Sequence, residues 1–321
     1  MAEVKSKAST LNEVLKDAPK NWGRWGDDDE IGCLNYLTPA EVLRGVRHVR
    51  SGKVFTLGVP VGRAGGDPVW PGRSGAMKLM TQDRGHYVAG KLKPLPGGLE
   101  YADDYITAFL QGSSQFDALG HTWYDDQLYN GFSAETTTGG MAKCGVDKIA
   151  QHGVVGRGVL VDIARYRGKD SLESGETFGV DDLEAAASKQ GVSIEKHDNL
   201  LIRTGWLKGF YDNGAFPSGK FNEPGLAYSL ELAQWFQENE IASLSTDTIA
   251  NEVTIDPENG ILLTLHAALM RNLGLLFSEI LWLEPLADDC AQDGQYSFLY
   301  AAAPMNIIGG TGAPVNPVVV K

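Results

Sequence analysis

The sequence predicts a mixed α/β fold, and three observations carry that prediction. Short apolar runs of strand length alternate with helix-period segments along the whole chain. No stretch of 18 apolar residues and no 20–50-residue repeat interrupts them. No Pro/Ser-rich linker divides them, so residues 21–321 read as one domain behind an N-terminal arm at 1–20, polar and Lys-rich.

In chain order, Asn21–Glu30 is a Gly/Asp loop holding Trp22 and Trp25. Thr38-Pro39-Ala40-Glu41 opens the first helix as N-cap, N1 proline and capping-box partner. Val42, Leu43, Val46 and Val49 give it an apolar stripe, and Gly52 ends it. Strands follow at 53–60 and 154–163, a helix at 181–190, and a strand at 199–204. A helix at 226–239, a strand at 241–247 and a helix at 262–273 come next. The apolar run 275–283 and a strand at 296–303 complete the core. The tail at 308–317, rich in Gly and Pro, is turn-forming and unfit for a central strand.

Composition narrows function. With 28 basic and 41 acidic residues the chain carries −13, which repels phosphate backbones and anionic lipid and leaves neither nucleic acid nor membrane as an expected partner. Cys33, Cys144 and Cys290 are dispersed and form no CxxC, against a disulfide framework or zinc knot. The first twenty residues contain no apolar signal core, so a soluble cytoplasmic protein is expected. The GGTG at 309–312 is followed by Pro314 and Pro317 rather than a helix, so it is no phosphate loop. GxGxxG, GxSxG and HExxH are all missing.

Chemistry must then come from histidines and their acidic neighbours. Gln111, Gln115, Asp117 and His121 share odd numbering, and in an extended chain they would line one face. Such a face suits an ion or polar ligand, or equally an edge strand with satisfied polar groups. The segment resembles a variant of HxGTHxDxPxH, the signature of the cyclase family of kynurenine formamidase-like and isatin hydrolase-like metal-dependent hydrolases. Gln111 and Gln115 stand where the first two histidines would, Asp117 and His121 match the Asp and last His, and Leu119 replaces the Pro. The QxxxQxDxxxH form is also similar to trans-dienelactone hydrolase. Blocks at 25–35, 156–162, 201–206, 277–279 and 310–317 extend the likeness along nearly the whole chain.

That resemblance implies a mixed β core ringed by helices, assembled as a homodimer or homotetramer. It also implies a metal site of Gln111, Gln115, Asp117, His266 and Glu279, with His121 as the proton-transferring residue. Amide oxygen is harder than imidazole, which weakens selection for Zn²⁺ and suits Mn²⁺ or similar ions, so the expected cofactor is a divalent ion, Mn²⁺ or Zn²⁺. Independently of any family, Glu279 lies between Leu275–Phe277 and Ile280–Trp282, where a buried carboxylate needs a partner or a metal. Trp123, Tyr124, Trp25 and His86 are candidate substrate contacts, with Trp22 and Trp70 as further rim aromatics; Asp247 closes a strand and reads as a turn or helix cap, with orienting a metal ligand as the alternative. His48, His152 and His197 have no supporting neighbours, and no cysteine has an activating one. The expected function is hydrolysis of an amide or lactone in a small cyclic or aromatic substrate. Ring closure by a cyclase and a non-catalytic binding protein with a degenerate metal site are the alternatives.

Overall fold

The computed structural model describes residues 10–64, 66–213 and 221–321. Its strands are β1 (Val54–Thr56), β2 (Met77–Gln82), β3 (Asp103–Thr107), β4 (Gln115–Asp117), β5 (Val154–Asp162), β6 (Thr177–Phe178) and β7 (Asn199–Arg203). They continue with β8 (Gly225–Leu226), β9 (Ser243–Thr246), β10 (Leu276–Glu279), β11 (Ser297–Ala302), β12 (Gly312–Pro314) and β13 (Val318–Val320). Nine form one mixed sheet in the order β1-β13-β11-β5-β7-β9-β10-β4-β12. Its centre, β5-β7-β9-β10, is parallel, and the flanking pairs are antiparallel. The sequence explains that centre: Leu160, Val161, Leu200–Ile202, Leu244, Leu276 and Phe277 are fully or almost fully buried, and strands covered on both faces read as continuous apolar runs. Among the described residues no helix is long and apolar enough to cross a membrane.

Most expected elements are found, with instructive shifts. The 226–239 segment starts as a short strand, because Leu226 pairs with Phe178, and its helix runs from Leu230 behind the Ser229 cap. A helix at Glu284–Asp293, begun at a proline and ended by Gly294, was not anticipated. In the tail, β12 pairs only with β4 at the sheet edge, where Pro314 needs no ladder bond. Residues 1–9 of the expected arm lie outside the described residues. The rest of it is anchored: Leu15 is buried and the Lys20 carbonyl accepts from Gln237 Nε2.

The first helix, Pro39–Val46, packs differently from its apolar pattern. Leu43 and Val46 are exposed, the Thr38 side chain makes no cap bond, and the buried residue is Gly45. A Cβ there would lie 2.6 Å from the Gly156 carbonyl carbon of β5. The helix meets the sheet through its smallest residue. Ala for Gly in a free helix stabilises by about 1 kcal/mol. Here Gly45→Ala is expected to lower the unfolding midpoint, because the backbone must part by overpacking worth about 1–3 kcal/mol. A raised midpoint would show that the contact is loose.

Candidate metal centre

Pairing at one side of the sheet assembles a carboxylate cluster. Glu279 closes β10 and lies opposite Gln115 of antiparallel β4, so both side chains point to the same face. Asp117, two residues along β4, shares that face. The carboxyl ends of parallel strands are where α/β sheets hold ligands, and Glu279 occupies such an end.

His266 comes from a separate element. It begins a π-helical stretch, His266–Arg271, and its ring packs edge-on against Phe277, the centroids 4.9 Å apart. Wide π turns recur at functional sites. Its Nε2 lies 3.8 Å from Asp117 Oδ2 and 3.5 Å from Glu279 Oε1. Donor atoms of Asp117, His266 and Glu279 all lie within 4.8 Å of one another, and all three residues are buried.

Glu252, which the sequence reading did not select, holds this helix in place. Its carboxylate accepts from the Leu265 and His266 amides, at 2.6 and 2.8 Å, and from His266 Nδ1 at 2.6 Å. An anion there satisfies free N–H groups at a helix start and fixes the imidazole so that Nε2 faces the cluster. The available signal was the one used for Glu279: a carboxylate inside an apolar stretch, here Ile249 to Ile255. Glu252→Gln puts an amide NH₂ against a donor and is expected to cost about 1–3 kcal/mol, read as a lower denaturation midpoint. An unchanged midpoint would remove Glu252 from this role.

The remaining donors close the ring. Gln115 Nε2 donates to Glu279 Oε2 at 2.7 Å, and Asn251 Nδ2 to Oε1 at 3.3 Å. Gln115 Oε1, Asp117 Oδ1 and Asn251 Oδ1 are buried with no hydrogen-bond partner. Buried polar atoms are rarely left so, and three oxygens around two carboxylates and an imidazole fit a missing cation. Burial, with Asp117 nearby, pushes Glu279 up to about 7. Burial also opposes the charge on Asp117, but His121 and His266 outweigh it and hold its pKa low. For His266 burial is likewise overcome, by the Asp117 carboxylate, the hydrogen bond to Glu252 and the Glu279 carboxylate, and its pKa rises well above normal.

Gln111 and His121 flank this ring from outside the strand. His121 Nε2 lies 4.0 Å from Asp117 Oδ2, and its Nδ1 lies 3.4 Å from Gln111 Nε2, which also donates to Thr311 Oγ1 at 3.0 Å. Room for the Gln111 amide exists because Gly312 has no side chain; a Cβ there would sit 2.6 Å from Nε2. Burial lowers the His121 pKa from its ordinary value, against the pull of Asp117. Half-buried Arg73 donates to the Gln111 carbonyl at 3.1 Å.

Trp123 is 45% exposed, following His121 by two positions. Tyr124 is turned away: its ring lies 3.9 Å from the Arg271 guanidinium and its hydroxyl donates to Asn272. Trp25 packs edge-on against Tyr36, which stacks on His197. His197 precedes β7 and bonds Glu41 and Glu240, so it has the neighbours the sequence did not reveal; this group sits at the amino ends of the parallel strands, opposite Glu279. His86 lies in a short helix, Arg84–Val88, bonded to Asp83. Asp247 accepts from the Thr204 and Gly205 amides, the capping role expected of it. The three cysteines are buried, and burial raises each thiol pKa.

An aromatic wall, unforeseen as a unit, adjoins the cluster. Trp206, Phe210 and Ile249 pack with Ile280, the residue after Glu279, and Trp70, Tyr211, Phe221 and Trp282 pack against them.

Comparisons with known proteins agree with this architecture. A family model described as "Putative cyclase" matches residues 55–253. A crystal structure of a novel cyclase is 39% identical, covering 94% of this chain and 98% of its own, with a TM-score of 0.85. Isatin hydrolase A from Labrenzia aggregata, bound to benzyl benzoate, shares the fold at 19% identity and a TM-score of 0.59, over 85% of this chain and 94% of that one. An isatin hydrolase bound to the product analogue thioisatinate does so at 13% identity and a TM-score of 0.58, over 88% and 98%. Among curated proteins no significant sequence match is found.

Proposed function

This chain belongs to the cyclase family, and from that premise we propose that it is a metal-dependent hydrolase opening an amide or lactone bond in a small cyclic or aromatic substrate. One observation carries the reading: two buried carboxylates and an imidazole converge beside buried oxygens that have no partner. Asp117, Glu279 and His266 would hold a divalent cation, with Gln115 and Gln111 as amide donors beside them. An oxygen-rich set weakens selection for Zn²⁺ and accommodates Mn²⁺. When bound, the cation would polarise the substrate carbonyl and acidify water.

The chain's own groups do the rest. Gln115 and Asn251 hold Glu279 from two sides, and Glu252 fixes the His266 tautomer. His121 accepts the proton of the attacking water at Nε2 and returns it to the leaving nitrogen or oxygen. That role needs the Gln111 amide, whose Nε2 lies 3.4 Å from His121 Nδ1, to turn its oxygen to Nδ1–H, which leaves Nε2 as the free base. The aromatic wall beside Ile280 suits a planar substrate, as does the fold shared with isatin hydrolases.

Elemental analysis after gentle purification tests the reading, followed by chelation and re-addition of Mn²⁺ or Zn²⁺. A screen of formylated anilines, cyclic imides and unsaturated lactones in ¹⁸O-labelled water accompanies it. Metal uptake with solvent oxygen in the product acid is expected. Failure to take up any divalent ion would leave a binding protein, and ring closure without label would make it a cyclase.

A further inference from the structure

Arg44, Arg157, Arg165, Arg167 and Arg203 each form an ion pair with a carboxylate of the fold. Arg73 forms none with the described residues. Its Nη1 donates to the Gln111 carbonyl at 3.1 Å, and the rest of the guanidinium has no partner among them. A half-buried charge without an opposite one carries a desolvation cost, and its fork keeps donors for a ligand.

Arg73 stands at the candidate site. Gln111, whose carbonyl it holds, reaches His121 Nδ1 with its amide at 3.4 Å. The charge is felt further in. Against burial, His121 and His266 are the larger causes of the low Asp117 pKa, and Arg73 adds to them; it likewise adds to the burial that lowers His121. The turn that carries Arg73 is tied down. Buried Asp67 accepts from the Gly62 amide at 3.0 Å and the Ala76 amide at 2.8 Å, and the Arg73 amide donates to the Trp70 carbonyl at 2.9 Å. Trp70, in the same turn, packs edge-on against Phe221 with centroids 5.2 Å apart, part of the aromatic wall beside Ile280. One turn thus joins an aromatic surface to an unpaired cation.

The chain's −13 gives an anion no general attraction, so a local guanidinium decides whether one is accepted. Its planar fork matches the two oxygens of a carboxylate. Taking the hydrolase reading as given, we propose that Arg73 receives a carboxylate that the substrate carries apart from the bond being opened, so that the preferred substrate is a planar aromatic or cyclic acid and Arg73 sets that specificity.

Calorimetric titration of the Mn²⁺-supplemented full chain with benzoate and with neutral benzamide tests this on wild type, Arg73→Gln and Arg73→Lys. Wild type is expected to bind benzoate about 10–100-fold more tightly, the worth of a charge-assisted hydrogen bond. Arg73→Gln should erase most of that ratio. Arg73→Lys should keep part of it, since an ammonium retains the charge and loses the fork. In turnover, the same ratio is expected in KM between 3-formamidobenzoate and 3-formamidobenzamide. A residue that only clamps the Gln111 carbonyl would, when replaced, weaken both probes alike and leave the ratio standing, which would overturn the proposal. So would inorganic phosphate binding as tightly as benzoate, or a wild type with no preference for the acid. Arg73-dependent benzoate binding by a chain that takes up no metal and hydrolyses nothing in the screen would sink the hydrolase reading and leave the anion subsite standing.

Discussion

Asp117→Asn is expected to empty the cluster of divalent metal and to lower kcat/KM by at least about 10³-fold, the several kcal/mol that metal assistance supplies. The substitution keeps the shape and removes one negative charge from the point where three chain segments meet. Asp117 Oδ2 lies between His266 Nε2, at 3.8 Å, and His121 Nε2, at 4.0 Å, and Oδ1 is buried without a partner. A neutral amide there also turns an NH₂ toward groups that need an acceptor or a cation. Metal content and turnover should fall together. An Asn variant that still binds stoichiometric metal would move the site away from β4.

His121→Ala should separate those two readouts. Turnover is expected to fall by about 10²–10⁴-fold, the range for a positioned acid–base group, while metal content stays at the wild-type level. The distinction rests on geometry. His121 is partly accessible and reaches the cluster only through Asp117, at 4.0 Å, whereas Asp117, His266 and Glu279 are closed in around their common centre. Turnover retained in the Ala variant would exclude His121 from proton transfer; metal lost with it would make His121 a ligand.

How much of this was legible depends on whether a signal is local. The strands of the parallel centre were read correctly because burial on both faces leaves an uninterrupted apolar run. Gln115 and Asp117 were placed on one face by strand alternation, and the structure keeps them there. Glu279 announced itself through its apolar flanks, and the same signal at Glu252 was passed over although that carboxylate makes three hydrogen bonds at the site. The first helix misled, since its apolar stripe implied a buried face whereas contact with the sheet runs through Gly45. Trp25 and His86 were chosen as aromatic or titratable residues in loops. Nothing in their spacing said that one faces the amino ends of the strands and the other lies between β2 and β3.

Composition and periodicity by themselves determined an α/β chain with a negatively charged surface, the order of most of its elements, and a buried carboxylate in need of a counter-charge. Family resemblance added which residues to watch. Only the tertiary structure decided that Gln115 meets Glu279 across 164 positions, that Glu252 anchors His266, and that β2 and β3 pair apart from the main sheet. Alternation and helical period constrain neighbours within one element. Which elements lie side by side is set by strand pairing and crossover between distant segments, and no local pattern encodes that.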